Sequence, residues 1–213
     1  DHAVSRYLKV KFPHLIWIAD FRDLIVDPHY RQQFFPGWHT LFYNRFYKKA
    51  DLLTTISEGF CKKLAATHKH ALVTMNGIEE GLKFPEAMVS AIFSIVYTGS
   101  MFLDERNPHP VLKVLQDLLN SNQIDVARFR LIYAGKDIGY WNEIIESYEL
   151  EDIFEYKGLL MRSASQELQQ NANINLLLTI ASDELDGVLT GKMIEYLQSG
   201  SNILAIIKHQ IDP

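Results

Sequence analysis

The sequence has little cysteine and no long apolar run. Cys61 is its only cysteine, so no internal disulfide bond can form, and a reducing, cytoplasmic setting fits this composition best. No apolar run reaches the roughly 18 residues that a membrane-spanning helix needs, and the first residues do not resemble a signal peptide. Acidic residues outnumber basic residues, so the chain has a formal net charge of -5. This charge argues against a dedicated nucleic-acid-binding protein.

Several motifs of common α/β enzymes are also missing. The segment Thr98-Gly99-Ser100 offers one glycine where a dinucleotide-binding loop has G-x-G-x-x-G, and no Walker pattern is present. No Cys/His cluster has zinc spacing, and there is no G-x-S-x-G elbow. These absences disfavour NAD-dependent dehydrogenases, P-loop NTPases, zinc proteins and α/β-hydrolases.

Hydrophobic residues make up 47% of the chain, which is ordinary for a globular protein with a sizeable core. Short apolar runs rich in β-branched residues predict buried strands. They span residues 15–19, 52–56, 72–75, 94–97, 130–134, 153–156, 175–180 and 203–207. Segments with helical spacing lie between them, and one of these carries Leu189, Met193, Ile194 and Leu197 and stops at Gly200. The alternation predicts an α/β fold with a doubly wound parallel sheet in the second half.

The composition changes along the chain and predicts two Rossmann-like domains. Residues 81–92 are rich in polar residues, glycine and proline, and we interpret them as a linker. Residues 1–80 then form a partial N-terminal domain, and residues 93–213 form a C-terminal domain. We expect both ends to be cut, because the chain opens on a helix and stops just past a strand.

Loops that follow parallel strands are the expected ligand-binding positions in such a fold. Gly99 follows the first strand of the second domain, and Gly187 and Gly191 bracket the start of a helix that carries Lys192 and Glu195. Free amides at a helix N-terminus attract anions, and a lysine adds a point charge for phosphate. The alternative is that the glycines only make tight turns and that Lys192 and Glu195 form an ordinary i,i+3 pair.

Six segments, in order, resemble the retaining group 1 (family 4) glycosyltransferases of the GT-B fold. The segments are residues 17–23 (WIADFRD), 50–57 (ADLLTTIS), 75–78 (MNGI), 97–99 (YTG), 131–135 (LIYAG) and 191–205 (GKMIEYLQSGSNILA). The sequence departs from the family at Gly187, which stands where the first of two signature glutamates is usual. The resemblance covers nearly the whole chain.

The resemblance implies a hexosyltransferase whose N-terminal domain binds a glycan, sugar or lipid-linked acceptor and whose C-terminal domain binds a nucleotide sugar. Catalysis would occur between the domains and would require no metal. Glu195 would contact the donor ribose, and Lys192 with the loop amides would hold the diphosphate above Gly99. The full set of expected donor-binding residues is Gly99, Ser100, Arg106, Lys136, Gly187, Val188, Leu189, Thr190, Lys192 and Glu195. A sugar-nucleotide enzyme of the 2-epimerase type and a non-catalytic homologue stay open as alternatives.

Two features of the first domain allow two readings each. Asp20, Arg22 and Asp23 follow an apolar run, and they either act on the substrates as catalytic residues or form an ion-pair lock. The aromatic stretch between residues 34 and 47 either packs in a core or faces a membrane. Arg45, Lys48 and Lys49 beside the stretch suit the membrane reading, which would place a cytoplasmic protein at the inner face of the membrane.

Overall fold

The computed structural model of the chain describes residues 2–22, 35–77, 91–101, 106–178 and 191–206. These residues form two compact units, one up to Asn76 and one from Gly77 onward. The expected linker lies almost entirely outside the described residues, since only two of its positions, 91 and 92, fall within them.

The first unit is a small parallel sheet with three helices. Its elements are α1 (His2–Lys11), β1 (Ile18–Phe21), α2 (Pro36–Tyr47), β2 (Leu52–Thr55), α3 (Glu58–Ala65) and β3 (Ala71–Val73). The strands lie in the order β1-β2-β3, and both neighbouring pairs are parallel. Helix α3 begins where the sequence changes from apolar strand to Ser57, whose side chain accepts a hydrogen bond from the Phe60 amide and caps the helix.

The prediction for the first strand was wrong at both of its ends. Residues 15–19 were expected to form it, but β1 runs from Ile18 to Phe21. Leu15 and Ile16 are exposed and precede the strand pairing, which begins at Ile18; the Lys9 ammonium donates a hydrogen bond to the Leu15 carbonyl at 2.7 Å. As a consequence Asp20 lies within the strand and not after it.

The second unit is a five-stranded parallel sheet. Its strands and helices are β4 (Phe93–Thr98), α4 (His109–Asn120), β5 (Phe129–Ala134), α5 (Ile138–Ser147), β6 (Phe154–Tyr156), α6 (Arg162–Gln170), β7 (Ile174–Leu178), α7 (Gly191–Ser199) and β8 (Asn202–Ile206). The strand order is β6-β5-β4-β7-β8. The chain therefore starts at the centre, builds outward through β5 and β6, and returns to the other side of β4 with β7.

Helices cover both faces of this sheet, as the continuous apolar runs predicted. On one face Tyr97 and Tyr133 stack at 6.0 Å between ring centroids, and Trp141 of α5 stacks on Tyr133 at 5.0 Å. Trp141 is fully buried in this core, which α4 also joins. On the opposite face Val96 and Ile132 pack against the end of α6. The doubly wound parallel sheet is thereby confirmed.

Candidate functional site

The sheet of the second unit reverses its winding direction between β4 and β7. In open α/β sheets ligands bind outside the carboxyl ends of the strands at such a point. A pocket of about 320 Å³ lies there, within the usual size of small-molecule sites. Four stretches of chain line it: the turn after β4, the turn after β5, the β6–α6 loop with one face of α6, and the start of α7.

Lys192, in the first turn of α7, lies in the wall of this pocket. Its ammonium donates a hydrogen bond to the carbonyl oxygen of Thr98 at the end of β4. The same nitrogen lies 5.7 Å from the centroid of the Tyr97 ring, in cation–π range. Glu195, one turn further along α7, lines the same pocket. The structure thus brings together the lysine and the glutamate that the sequence singled out.

The position of Lys192 changes its acidity. Burial lowers the pKa of the ammonium from its ordinary 10.5 to about 8; Glu195 opposes this shift and Arg106 adds to it. Among the described residues no carboxylate bonds the Lys192 ammonium, whose hydrogen bond goes to the Thr98 carbonyl. A buried cation in such surroundings favours an anionic ligand, because the ligand would replace the hydration that burial removed.

Gly99 and Gly135 form the backbone turns that border the pocket. Gly99 has a positive φ of 108°, which favours glycine, and a Cβ there would collide with the Lys192 side chain. A Cβ on Gly135 would collide with the Gly99 carbonyl and the Tyr133 ring. The two turns are therefore packed directly against each other, and a side chain fits at neither position.

Asp137 and Arg106 hold the β4 turn in place. The Asp137 carboxylate accepts a hydrogen bond from the Met101 amide at 2.7 Å. The Arg106 guanidinium donates to the Ser100 carbonyl at 2.7 Å and to the Tyr97 hydroxyl at 3.1 Å. Arg106 was expected to bind the donor, but its side chain is only 8% exposed and points at the protein's own backbone. Its donor-binding role stays a prediction.

One face of α6 supplies pocket residues that the sequence analysis missed. These are Arg162, Ser165, Gln166 and Gln169, which follow Leu159 and Leu160 of the preceding loop. They recur at i, i+3, i+4 and i+7, the spacing of one helix face. Polar residues at that spacing, on a helix that packs on a sheet, were the available signal in the sequence.

The remaining expected donor-binding residues divide into two groups. Ser100 and Lys136 line the pocket with Gly99, Lys192 and Glu195. The segment Gly187, Val188, Leu189 and Thr190 lies outside the described residues, so the structure describes neither that part of the loop nor its amides.

Asp20 and Arg22 contact each other in the first unit. The Arg22 Nε atom donates to Asp20 Oδ2 at 2.8 Å, and the guanidinium also bonds the Asn76 side chain. The Thr54 hydroxyl donates to Asp20 Oδ1 at 2.7 Å; this bond, with those from Arg22, holds the pKa of the carboxyl below its ordinary value. These contacts fit the ion-pair reading, and catalytic roles for them stay predictions; Asp23 lies outside the described residues.

Two absences hold for the described part of the chain. Among those residues no group of three or more His, Cys, Asp or Glu side chains could hold a metal ion. No helix in the same ranges is both long enough and apolar enough to cross a bilayer.

No protein-family model matches the sequence, and neither does any curated protein. Solved structures do match its fold. Sucrose-phosphate synthase from Thermosynechococcus elongatus has a TM-score of 0.67 at 14% identity, over 96% of this chain and 53% of that one. A glycosyltransferase from Rickettsia africae ESF-5 has a TM-score of 0.59 at 12% identity, over 96% of this chain and 60% of that one.

A third match is a mutant of TarM from S. aureus, crystallised with fondaparinux, alpha-GlcNAc-glycerol and UDP. Its TM-score is 0.57 at 12% identity, over 90% of this chain and 37% of that one. The present chain thus spans about half the length of the first of these matches. At these identities the likeness shows the fold and no more: an α/β chain with two Rossmann-like units, as in the GT-B glycosyltransferases.

Proposed function

We propose that the protein is a cytoplasmic glycosyltransferase that moves a sugar, with retention, from a nucleotide-sugar donor to a glycan, sugar or lipid-linked acceptor. The observation that carries this proposal is the charge of one pocket at the reversal of the sheet. Among the described residues that line it, Lys136, Arg162 and Lys192 are cationic and one, Glu195, carries a carboxylate. A nucleoside diphosphate has the negative charge that such a wall favours.

Different residues of the pocket would contact different parts of the donor. Lys192 and the Gly99 turn would receive the diphosphate, Glu195 would accept hydrogen bonds from the ribose hydroxyls, and Leu159 and Leu160 would pack against the base. When the glycosidic bond to the diphosphate breaks, negative charge develops on the leaving group. The Lys192 ammonium, already desolvated, would stabilise that charge without a metal ion. TarM, which shares the fold, was crystallised with UDP.

The acceptor is proposed to bind the first unit, with Asp20, Arg22 and Asp23 as the residues that contact the reacting groups. The hydrogen bonds of Asp20 lower its pKa below the ordinary 3.8, so at neutral pH it is a carboxylate that can accept a hydrogen bond from an acceptor hydroxyl and orient it. Asp20→Asn in the full-length protein should then lower kcat for transfer and leave UDP binding unchanged. Equal losses in both would instead indicate a structural role.

Calorimetry on the full-length protein with UDP and GDP tests the donor site. We expect one nucleotide to bind and Lys192→Ala to weaken that binding at least tenfold, the usual size of a lost charge-assisted contact of about 1.5–3 kcal/mol. Lys113→Ala is the matched control, because Lys113 pairs with Asp117 on the exposed side of α4, outside the pocket. If the unmodified protein binds neither nucleotide, the proposal is wrong.

Product analysis separates the remaining alternatives. Mass spectrometry after incubation with a nucleotide sugar and a crude acceptor extract should detect a glycosylated product. An epimerised donor would indicate the 2-epimerase type. Binding without any turnover would indicate a non-catalytic homologue, a reading that Gly187 favours because it stands where the family usually has a glutamate.

We also propose that helix α2 contacts a membrane surface. Phe35, Trp38, Leu41 and Phe42 are all at least half exposed, while Tyr43, Phe46 and Tyr47 of the same helix pack in the core. No acidic residue occurs between positions 35 and 50, whereas Arg45, Lys48 and Lys49 are basic. Exposed aromatics beside cations suit an anionic lipid surface.

Co-sedimentation with vesicles tests the membrane contact. The full-length protein should bind vesicles that contain phosphatidylglycerol and should bind much less to pure phosphatidylcholine. The variant Trp38→Ser should lower binding to the anionic vesicles, and Leu159→Ser, which changes an equally exposed apolar residue of the second unit, should not. Equal binding by all three proteins would contradict the assignment of α2.

A further inference from the structure

The side chain of Gln169 is the most buried polar group around the pocket. It is 1% exposed, and its Nε2 atom donates to Thr98 Oγ1 at 2.9 Å and to Ser165 Oγ at 3.2 Å. Its Oε1 atom is buried without a hydrogen-bond partner among the described residues. In the flipped orientation the Nε2 atom, with its two donor hydrogens, would be the atom without a partner, whereas in the observed orientation only the Oε1 atom lacks one among the described residues. The observed orientation is therefore the less costly one.

This orientation decides where the Ser165 hydroxyl proton points. A hydroxyl that accepts a hydrogen bond from the amide must direct its own proton elsewhere. Serines in helices often donate to a carbonyl in the preceding turn, as Ser121 does to Asp117 and Ser147 does to Ile144. Within the described residues Ser165 makes no such bond, and it lines the pocket. Its proton is thus available to a group inside the pocket.

Thr98 is held from the other side by α7. The Tyr196 hydroxyl lies 3.4 Å from Thr98 Oγ1 and accepts from the Thr98 amide at 3.3 Å. Burial raises the pKa of Tyr196 to about 12, so this hydroxyl stays protonated. The amide of Gln169 is consequently fixed at one end by Thr98, which is itself held by Tyr196, and at the other end it donates to Ser165, which lines the pocket.

We propose that Ser165 is a donor-binding residue that gives a hydrogen bond to an acceptor oxygen of the bound nucleoside diphosphate. Gln169 is the positioning residue that holds the Ser165 hydroxyl in that orientation. Both roles rest on the proposed function, in which this pocket holds the donor. The acceptor oxygen belongs either to the diphosphate or to the nucleoside, and the ligand used in the experiment distinguishes the two sources.

Titration calorimetry of the full-length protein with UDP, or with GDP if that nucleotide binds, tests Ser165. Removing one hydrogen bond in Ser165→Ala should weaken binding about three- to tenfold. The control Ser163→Ala changes an exposed serine of the same helix that does not line the pocket, and should bind as the unmodified protein does. Ser165→Ala that binds as tightly as the unmodified protein overturns the proposal.

A double-mutant cycle tests Gln169. Gln169→Met removes the orienting amide at similar volume and should weaken nucleotide binding in the unmodified background. In the Ser165→Ala background the same change should cause no further loss, since no hydroxyl is left to orient. A merely structural role would weaken both backgrounds by the same factor and would overturn the positioning role. Denaturant unfolding of the four proteins, measured separately, shows that each is folded.

The two sources of the acceptor oxygen are separated by smaller ligands. Losses with UDP and uridine, but not with pyrophosphate, place the contact on the nucleoside, and a loss with pyrophosphate places it on the diphosphate. An unmodified protein that binds neither UDP nor GDP contradicts the donor site as a whole. Nucleotide binding that Ser165→Ala leaves unchanged contradicts only the assignment of Ser165.

Discussion

Raising the pH above 8 should weaken nucleotide binding, because the Lys192 ammonium then loses its proton. Its pKa in the free protein is about 8. A phosphate oxygen about 4 Å away would favour the protonated form by up to about 4 kcal/mol at an effective dielectric of 20, which corresponds to about 3 pKa units. The bound lysine would thus stay protonated well beyond pH 10.

The size of the effect follows from this difference in pKa. Only the protonated fraction of the free protein binds tightly, so the Kd for UDP should be about twofold higher at pH 8, and about tenfold higher at pH 9, than at pH 7. At pH 8 about half a proton should be taken up per nucleotide bound. The second phosphate ionisation, near pH 6, is complete over this range and contributes little.

Calorimetry in two buffers with different ionisation enthalpies measures both the Kd for UDP and the number of protons taken up per nucleotide bound. Lys192→Arg is the matched variant, because a guanidinium keeps its proton at all these pH values; whatever its affinity at pH 7, its Kd should not change up to pH 9. If the unmodified protein has the same Kd at pH 7 and pH 9 and takes up no proton, Lys192 does not contact the nucleotide and the reasoning is refuted.

Three further predictions concern stability, measured by denaturant unfolding. Gly135→Ala should cost about 1–3 kcal/mol, because its Cβ meets backbone and a ring, whereas Gly191→Ala, with open space around it, should cost less than 1 kcal/mol; equal costs would contradict the packing of the turns. Tyr196→Phe should lose about 0.5–1.5 kcal/mol, since the buried Thr98 amide loses an acceptor; no loss would mean that this bond is unimportant. Lys192→Met should stabilise the protein by about 1–3 kcal/mol at pH 7, because it removes a desolvated charge. That gain should shrink as the pH rises from about 8 towards 10.5, where the folded unmodified protein holds a neutral lysine while its unfolded chain is still charged; a gain that does not depend on pH would point to packing alone.

The fold of the second unit was largely predictable from the sequence. The predicted bounds of β5 and β8 lie within one residue of the observed ends of these strands. Strands that are buried on both faces have continuous apolar sequences, which makes them recognisable. Helix α7 and its stop at Gly200 were also predicted, and Gly200 has a φ of 74°. The first strand was misplaced because Leu15 and Ile16 are as apolar as a buried strand, although they are exposed and lie before the strand pairing that begins at Ile18.

The site was only partly predictable, for a physical reason. Lys192 and Glu195 were found because both lie close in sequence to a glycine-rich helix start. Gln169 was missed because its importance comes from burial against Thr98, far away in the sequence. Arg106 was expected in the pocket from its position after β4, but the direction of its side chain depends on the Tyr97 hydroxyl, which a sequence pattern does not encode.

The strand order also determines when the pocket can exist during folding. Strands β4, β5 and β6 are neighbours along the chain and in the sheet, so their pairing needs only short chain closures. Strand β7 must instead return across the unit to pair Ile174 with Ile95, and α7, with Lys192, follows later still. A nascent or truncated chain that ends before β7 can therefore pair three of the five strands, yet it lacks the lysine on which we expect nucleotide binding to depend. If the proposed site is correct, nucleotide binding would consequently report that the second unit has folded at least as far as α7.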